Sequence, residues 1–172
     1  MTIKLIFRKS DGRILGAQAV GPEGVDKRID VIAMAIQMQA TVFDLEEAEL
    51  CYSPQFGSAK DPVNLAGMIA GNVMRGDLQI LHSDDLEDSG SFLLDVREPL
   101  EVAAAQIPGA VNISLNELRQ RLSELPRDRR ICAYCLVGQR SYYAARALTL
   151  HGFNACNLSG GLKSYLLKTK LP

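Results

Sequence analysis

The chain has 172 residues, 47% of them apolar and 23% charged, with a formal net charge of −1. That length suits one large domain or two small ones, and near-neutrality gives no general attraction to nucleic acid or to an anionic membrane. No apolar run approaches the ~20 residues of a membrane-spanning helix and the N-terminus lacks a signal-peptide core, so a cytoplasmic protein without membrane or nucleic-acid partners is expected.

Residues 2–8 alternate, with Ile3, Leu5 and Phe7 on one side and Lys4 on the other, which predicts a strand. The turn signal Ser10-Asp11-Gly12-Arg13 and the apolar run Ile14 to Val20 complete a predicted hairpin. Gly21-Pro22-Glu23-Gly24 breaks the chain, and helical spacing follows over 25–39. A short helix is expected from Thr41 to Ala48, then an irregular segment around Pro54. Asp61 as N-cap and Pro62 at the first position start a further helix that runs to about Arg75. Its Gly67, Ala70 and Gly71 would permit close helix packing.

The composition turns polar and acidic over 79–90, which places a domain boundary at about 77–81 and divides the chain into 1–78 and 79–172. Beyond it come a strand at 92–96, a helix at 99–104 and a strand at 110–113. Ser114 with Glu117 reads as a capping box for a helix at 115–123. A strand at 130–134, a loop, a helix at 141–151 ended by Gly152, a strand at 154–158 and a helix at 162–167 complete the chain. The expected fold class is α/β: antiparallel strands with helices in a first α+β domain, then a central parallel sheet with helices on both faces.

The four cysteines, Cys51, Cys132, Cys135 and Cys156, are not spaced as a disulfide scaffold. Cys132-Ala-Tyr-Cys135 is a C-x-x-C, a spacing used by redox pairs and zinc sites. Zinc would need a second pair of ligands, and His82 and His151 stand alone, so no metal site is expected. A redox pair sits in one helical turn, whereas this pair lies along an apolar strand, where residues three apart point to opposite faces. Cys132 therefore reads as a small core residue.

Cys135 ends that strand, and Leu136, Val137, Gly138, Gln139 and Arg140 lead into a helix expected from Ser141. The free N–H groups and positive end of a helix N-terminus favour negative charge, and so the nucleophilic thiolate. Gly138 gives the loop backbone freedom, and successive N–H groups can form an anion nest. Arg140 would either add positive charge for an anionic donor or cross-link the loop to Asp95 or Glu98.

Four stretches together resemble a single rhodanese domain over about 79–172. They are Leu94-Asp95-Val96-Arg97-Glu98-Pro99, Ile107-Pro108-Gly109-Ala110-Val111-Asn112-Ile113, Cys135-Leu136-Val137-Gly138-Gln139-Arg140-Ser141 and Leu158-Ser159-Gly160-Gly161. Gln106 stands where the family often has histidine, and Tyr165 where it often has tryptophan. The resemblance implies a sulfurtransferase of the thiosulfate type. Cys135 would attack a sulfane sulfur, carry it as a persulfide, and yield it to a thiol or cyanide. Residues 136–140 would bind the small anionic donor, with Asp95 and Arg97 as auxiliary candidates. The six residues from Cys135 to Arg140 match the family's sulfur-handling loop; related phosphatases and arsenate reductases have one residue more.

Five earlier stretches resemble the C-terminal dimerisation domain of pyridine nucleotide–disulfide oxidoreductases over roughly 1–78. They are Gly16-Ala17-Gln18-Ala19-Val20-Gly21, Gly24-Val25-Asp26-Lys27-Arg28-Ile29-Asp30, Asp44-Leu45, Leu50-Cys51-Tyr52-Ser53-Pro54 and Lys60-Asp61-Pro62-Val63-Asn64. Coenzyme A disulfide reductases and related persulfide reductases are the most similar members. The resemblance implies a homodimer, and implies for Tyr52 either a reach into the partner's active site or an ordinary interface place. The chain has no G-x-G-x-x-G after a strand, so no flavin or nicotinamide cofactor is expected. The alternative to a free-standing enzyme is a dimerising or persulfide-relay module, a fragment of an FAD/NAD-dependent reductase that works with a flavoprotein.

Overall fold

The computed structural model describes residues 1–169, and the chain forms two compact units, Met1–Asp77 and a second that begins at Leu78.

In the first unit, β1 (Thr2–Phe7) and β2 (Ile14–Val20) pair antiparallel as a hairpin. Three helices follow: α1 (Val25–Gln37), α2 (Val42–Glu47) and α3 (Pro62–Met74). Thr41 caps α2, accepting from the Asp44 N–H while the Asp44 carboxylate takes the Thr41 N–H at 2.6 Å. Asp61 caps α3 through the Val63 N–H at 3.0 Å, and Arg28 of α1 bridges to the same carboxylate at 2.8 Å. Gly67 explains how closely α2 and α3 approach: a Cβ there would lie 2.4 Å from the Glu46 backbone nitrogen. Ile14, Ile32, Val42, Leu45, Val63 and Ala70 form the core of this unit. Met34 on α1, Met38 at its C-terminal cap, and Leu65 and Ile69 on α3 are each at least two-fifths exposed.

The second unit is built on a five-stranded, all-parallel sheet. Its strands are β3 (Ile80–Leu81), β4 (Phe92–Asp95), β5 (Val111–Asn112), β6 (Ile131–Tyr134) and β7 (Ala155–Leu158), in the spatial order β3-β7-β6-β4-β5. The helices are α4 (Pro99–Ala104), α5 (Gln139–Leu150) and α6 (Gly161–Thr169). Alternation along β6 sends Ile131 and Ala133 into one core and Cys132 and Tyr134 into the other. The first core holds Leu94, Val96, Ile113, Leu148 and Phe153; the second holds Leu81, Ile107, Cys156, Leu158 and Leu162.

Three local expectations change. The helix expected over 115–123 is replaced by two 3₁₀ turns, Leu118–Gln120 and Leu122–Glu124. Glu117 closes no capping box with Ser114; its carboxylate pairs with Arg121 at 3.0 Å. Leu115, Leu118, Leu122 and Leu125 reach the core from the tighter turns, and a segment this short before Pro126 has little helix stability of its own to oppose that packing. Helix α5 begins at Gln139, not Ser141, because Gly138 takes the capping place with φ 108°. The edge strand β3 lies in the polar, acidic stretch over 79–90, where no strand is predicted: two residues bonded to β7 are too few to show periodicity.

Candidate active site

After β4 the chain crosses to β5 on one side of the sheet, and after β6 it crosses to β7 on the other. The carboxyl ends of β4 and β6 therefore meet at a topological switch point, the usual site of a crevice in open α/β sheets. Cys135 follows β6 directly and is only 2% exposed. Its Sγ accepts from the Gly138 N–H at 3.2 Å and lies 3.5 Å from Ser141 Oγ, which donates to it. Burial by itself pushes this thiol up; the Ser141 hydroxyl and the N–H groups of Ser141, Gly138 and Val137 outweigh burial and bring it below the usual thiol value.

Two elements hold the loop in this shape. The first N–H groups of α6 face outward-turned loop carbonyls: Leu162 donates to Cys135 at 2.8 Å and Lys163 to Leu136 at 3.0 Å. Gly161 permits that approach, since a Cβ on it would fall 2.4 Å from the Cys135 carbonyl oxygen. With these carbonyls held by α6, the loop N–H groups turn inward toward sulfur.

Leu136 and Val137 project outward and are half exposed. Gln139, also exposed, is the first residue of α5 rather than a loop residue. Arg140 pairs with Glu101 of α4, at 2.6 and 2.7 Å, not with the expected Asp95 or Glu98. Asp95 is unavailable because it is buried against Arg97, which grips it at 2.6 Å and donates onward to the carbonyls of Glu101 and Ala105. Glu98 instead accepts from Asn116 at 3.3 Å. Tyr52 lies in the first unit, in the irregular segment after α2, and is 55% exposed.

Ser141, Glu101 and Asn157 are site residues without a role among the expectations from sequence. Ser141 had a signal, since it closes the motif that begins at Cys135. Glu101 and Asn157 had none, because their contacts with Arg140 and Gly138 span 39 and 19 residues.

Cys132 is fully buried on the face opposite Cys135, opposite Cys156 in the β6–β7 register. Its contact with Cys156, together with burial, pushes its thiol up. It does not meet Cys135 as a redox partner would, because the strand separates them onto two cores. Among the described residues no three His, Cys, Asp or Glu side chains converge as a metal site would require. Among the same residues, no helix is long and apolar enough to cross a membrane.

The rhodanese-like domain family matches residues 79–168, and the pyridine nucleotide-disulphide oxidoreductase dimerisation domain matches residues 1–61. Coenzyme A disulfide reductase of Staphylococcus epidermidis is 45% identical over 65 residues, which is 38% of this chain and 15% of that protein. Reduced Bacillus anthracis CoADR-RHD superposes on 95% of this chain with 47% identity and a TM-score of 0.92, over 30% of its own length. A NAD-dependent persulfide reductase from A. fulgidus superposes on 93% of this chain with 38% identity and a TM-score of 0.83, over 29% of its length. The chain thus spans less than a third of each of these three relatives. A rhodanese-related protein from Thermoplasma volcanium is 31% identical with a TM-score of 0.51, over 55% of this chain and 95% of its own. This chain belongs to the rhodanese-like domain family, and carries that domain behind a pyridine nucleotide–disulphide oxidoreductase dimerisation domain.

Proposed function

We propose that this protein is a sulfurtransferase that carries sulfane sulfur on Cys135. The observation that carries the reading is the buried Cys135 sulfur faced by the Gly138 N–H at 3.2 Å and the Ser141 hydroxyl at 3.5 Å, donors that favour the thiolate. The Cys135 thiolate attacks the outer sulfur of thiosulfate or of a persulfide. The new S–S bond forms as the donor's S–S bond breaks, and sulfite or a thiolate leaves with the electron pair. The outer sulfur of the resulting Cys135 persulfide carries the negative charge, which the N–H groups of Val137, Gly138 and Ser141 stabilise. A thiolate or cyanide then attacks that outer sulfur and Cys135 leaves as thiolate. No net oxidation occurs and no cofactor is consumed.

Thiosulfate with cyanide is the direct assay. Thiocyanate should form with the unaltered protein and not with Cys135→Ser, and a mass gain of one sulfur atom should sit on Cys135 after donor alone. Equal thiocyanate from both proteins would sink the reading.

A second reading is favoured by the dimerisation-domain match over residues 1–61 and by the length of the reductase relatives. In it the first unit pairs two copies of this chain, and the second unit passes persulfide sulfur to a flavoprotein reductase. The exposed Met34, Met38 and Ile69 supply apolar surface for such pairing. Light scattering should give twice the chain mass; a monomer would refute the pairing.

A further inference from the structure

Asn157 is the third residue of β7, stands opposite Ala133 in the sheet register, and is 8% exposed. Strand alternation turns Cys156 and Leu158 into one core and Asn157, like Ala155, toward the other, the face that holds Cys135. That face is otherwise built of aliphatic and aromatic side chains such as Leu94, Ala144, Leu148 and Phe153.

The amide of Asn157 makes one hydrogen bond among the described residues. Its Nδ2 donates to the Gly138 carbonyl at 3.1 Å, while its Oδ1 is buried without a partner there. Turning the amide over would set Oδ1 against the carbonyl oxygen, so the contact itself fixes which end faces the loop. Burying half an amide is unfavourable, and a leucine would avoid it. The bond to Gly138 is what asparagine supplies there and leucine does not.

Gly138 needs that support. It stands at φ 108° and ψ −13°, a conformation glycine enters and leaves easily. Its N–H donates to Cys135 Sγ at 3.2 Å, and its carbonyl accepts the Tyr142 N–H at 3.0 Å to open α5. Tyr142 holds this carbonyl from the helix side, and Asn157 holds it from the sheet side.

We propose that Asn157 is a positioning residue for Cys135: it ties the Gly138 carbonyl to β7 and thereby aims the Gly138 N–H at the sulfur. Its purpose rests on the sulfur-carrier reading, because the aimed N–H matters to a thiolate or persulfide. The same contact sets where negative sulfur is stable, so its loss is felt in the acidity of the thiol before any transfer occurs.

The test is the pH profile of iodoacetamide alkylation at Cys135 itself, resolved by peptide mass from the other buried thiols, Cys132 and Cys156, in a background where the exposed Cys51 is replaced by serine (Cys51→Ser). Asn157→Leu and Asn157→Ser should each raise the midpoint by about one pH unit, so that alkylation below the midpoint slows about tenfold. Circular dichroism establishes that each variant is folded. A residue that merely fills space would lower Tm and leave the midpoint in place, so an unmoved midpoint in a folded variant overturns the proposal. Should neither variant fold, NMR of the Cys51→Ser protein decides: the Asn157 side-chain amide resonance should shift with the Cys135 midpoint, and a stationary resonance overturns it. Thiocyanate formation with an unmoved midpoint would remove the Asn157 proposal alone. A moved midpoint without thiocyanate formation would remove the sulfurtransferase reading alone.

Discussion

Arg140 and Glu101 hold each other through two parallel hydrogen bonds, 2.6 and 2.7 Å long, that join α5 to α4 across 39 residues. Bidentate pairing of this kind fixes orientation as well as distance. The guanidinium also lies close enough to Cys135 for the two charges to favour each other. One arginine therefore serves the scaffold and the electrostatics of the sulfur together.

Replacing each member of the pair separates the two roles. Arg140→Met should raise KM for thiosulfate about tenfold, the effect of losing one hydrogen bond to a charged group. Glu101→Gln leaves the cation in place and should raise KM by less. Equal increases in steady-state assays would mean that Arg140 acts only through Glu101.

The pair should also show itself in stability at low pH. The Arg140 hydrogen bonds hold the Glu101 carboxyl down to about 2, from a usual value of 4.5. A depressed acid contributes stability above its unfolded value and loses it as pH falls through its folded value. The contribution should thus be complete above pH 4.5 and vanish near pH 2. With side chains about one-third exposed it should stay below about 1 kcal/mol. Thermal melts of the unaltered protein and Glu101→Gln should differ above the upper limit and converge at the lower one; a constant offset would contradict this.

Ser141 is buried and its hydroxyl donates to the sulfur, so Ser141→Ala removes a donor from the thiolate. Hydrogen bonds to a charged form favour that form. The alkylation midpoint of Cys135 should therefore rise, with little change in the rate at high pH, where the thiol is ionised in both proteins. A slower rate at all pH values, without a moved midpoint, would assign Ser141 to access instead of acidity.

Arg97 is 3% exposed and Asp95 fully buried, so Arg97→Met leaves a buried carboxylate without its cation. Breaking one side of such a pair should cost about 3–5 kcal/mol in urea unfolding. Joint replacement with Asp95→Leu should recover part of that loss. A single variant that loses less than about 1 kcal/mol, as an exposed pair would, would show that the pair does not brace the loop after β4.

Periodicity, caps and breakers were enough to place most elements of this protein. The hairpin, the Asp61 cap of α3, the alternation that separates Cys132 from Cys135, and the loop between β6 and α5 all follow from contacts a few residues apart. Local signals erred where local stability was weak. The leucines of 115–125 share a face in either backbone, and packing chose 3₁₀ turns; two-residue β3 exists only because β7 bonds it. The site divides in the same way. The sequence alone determined which thiol stands before a helix, because that depends on chain order. Only the tertiary structure decided which groups face it, because Glu101, Asn157 and Gly161 reach the loop from separate elements, through contacts that no sequence spacing encodes.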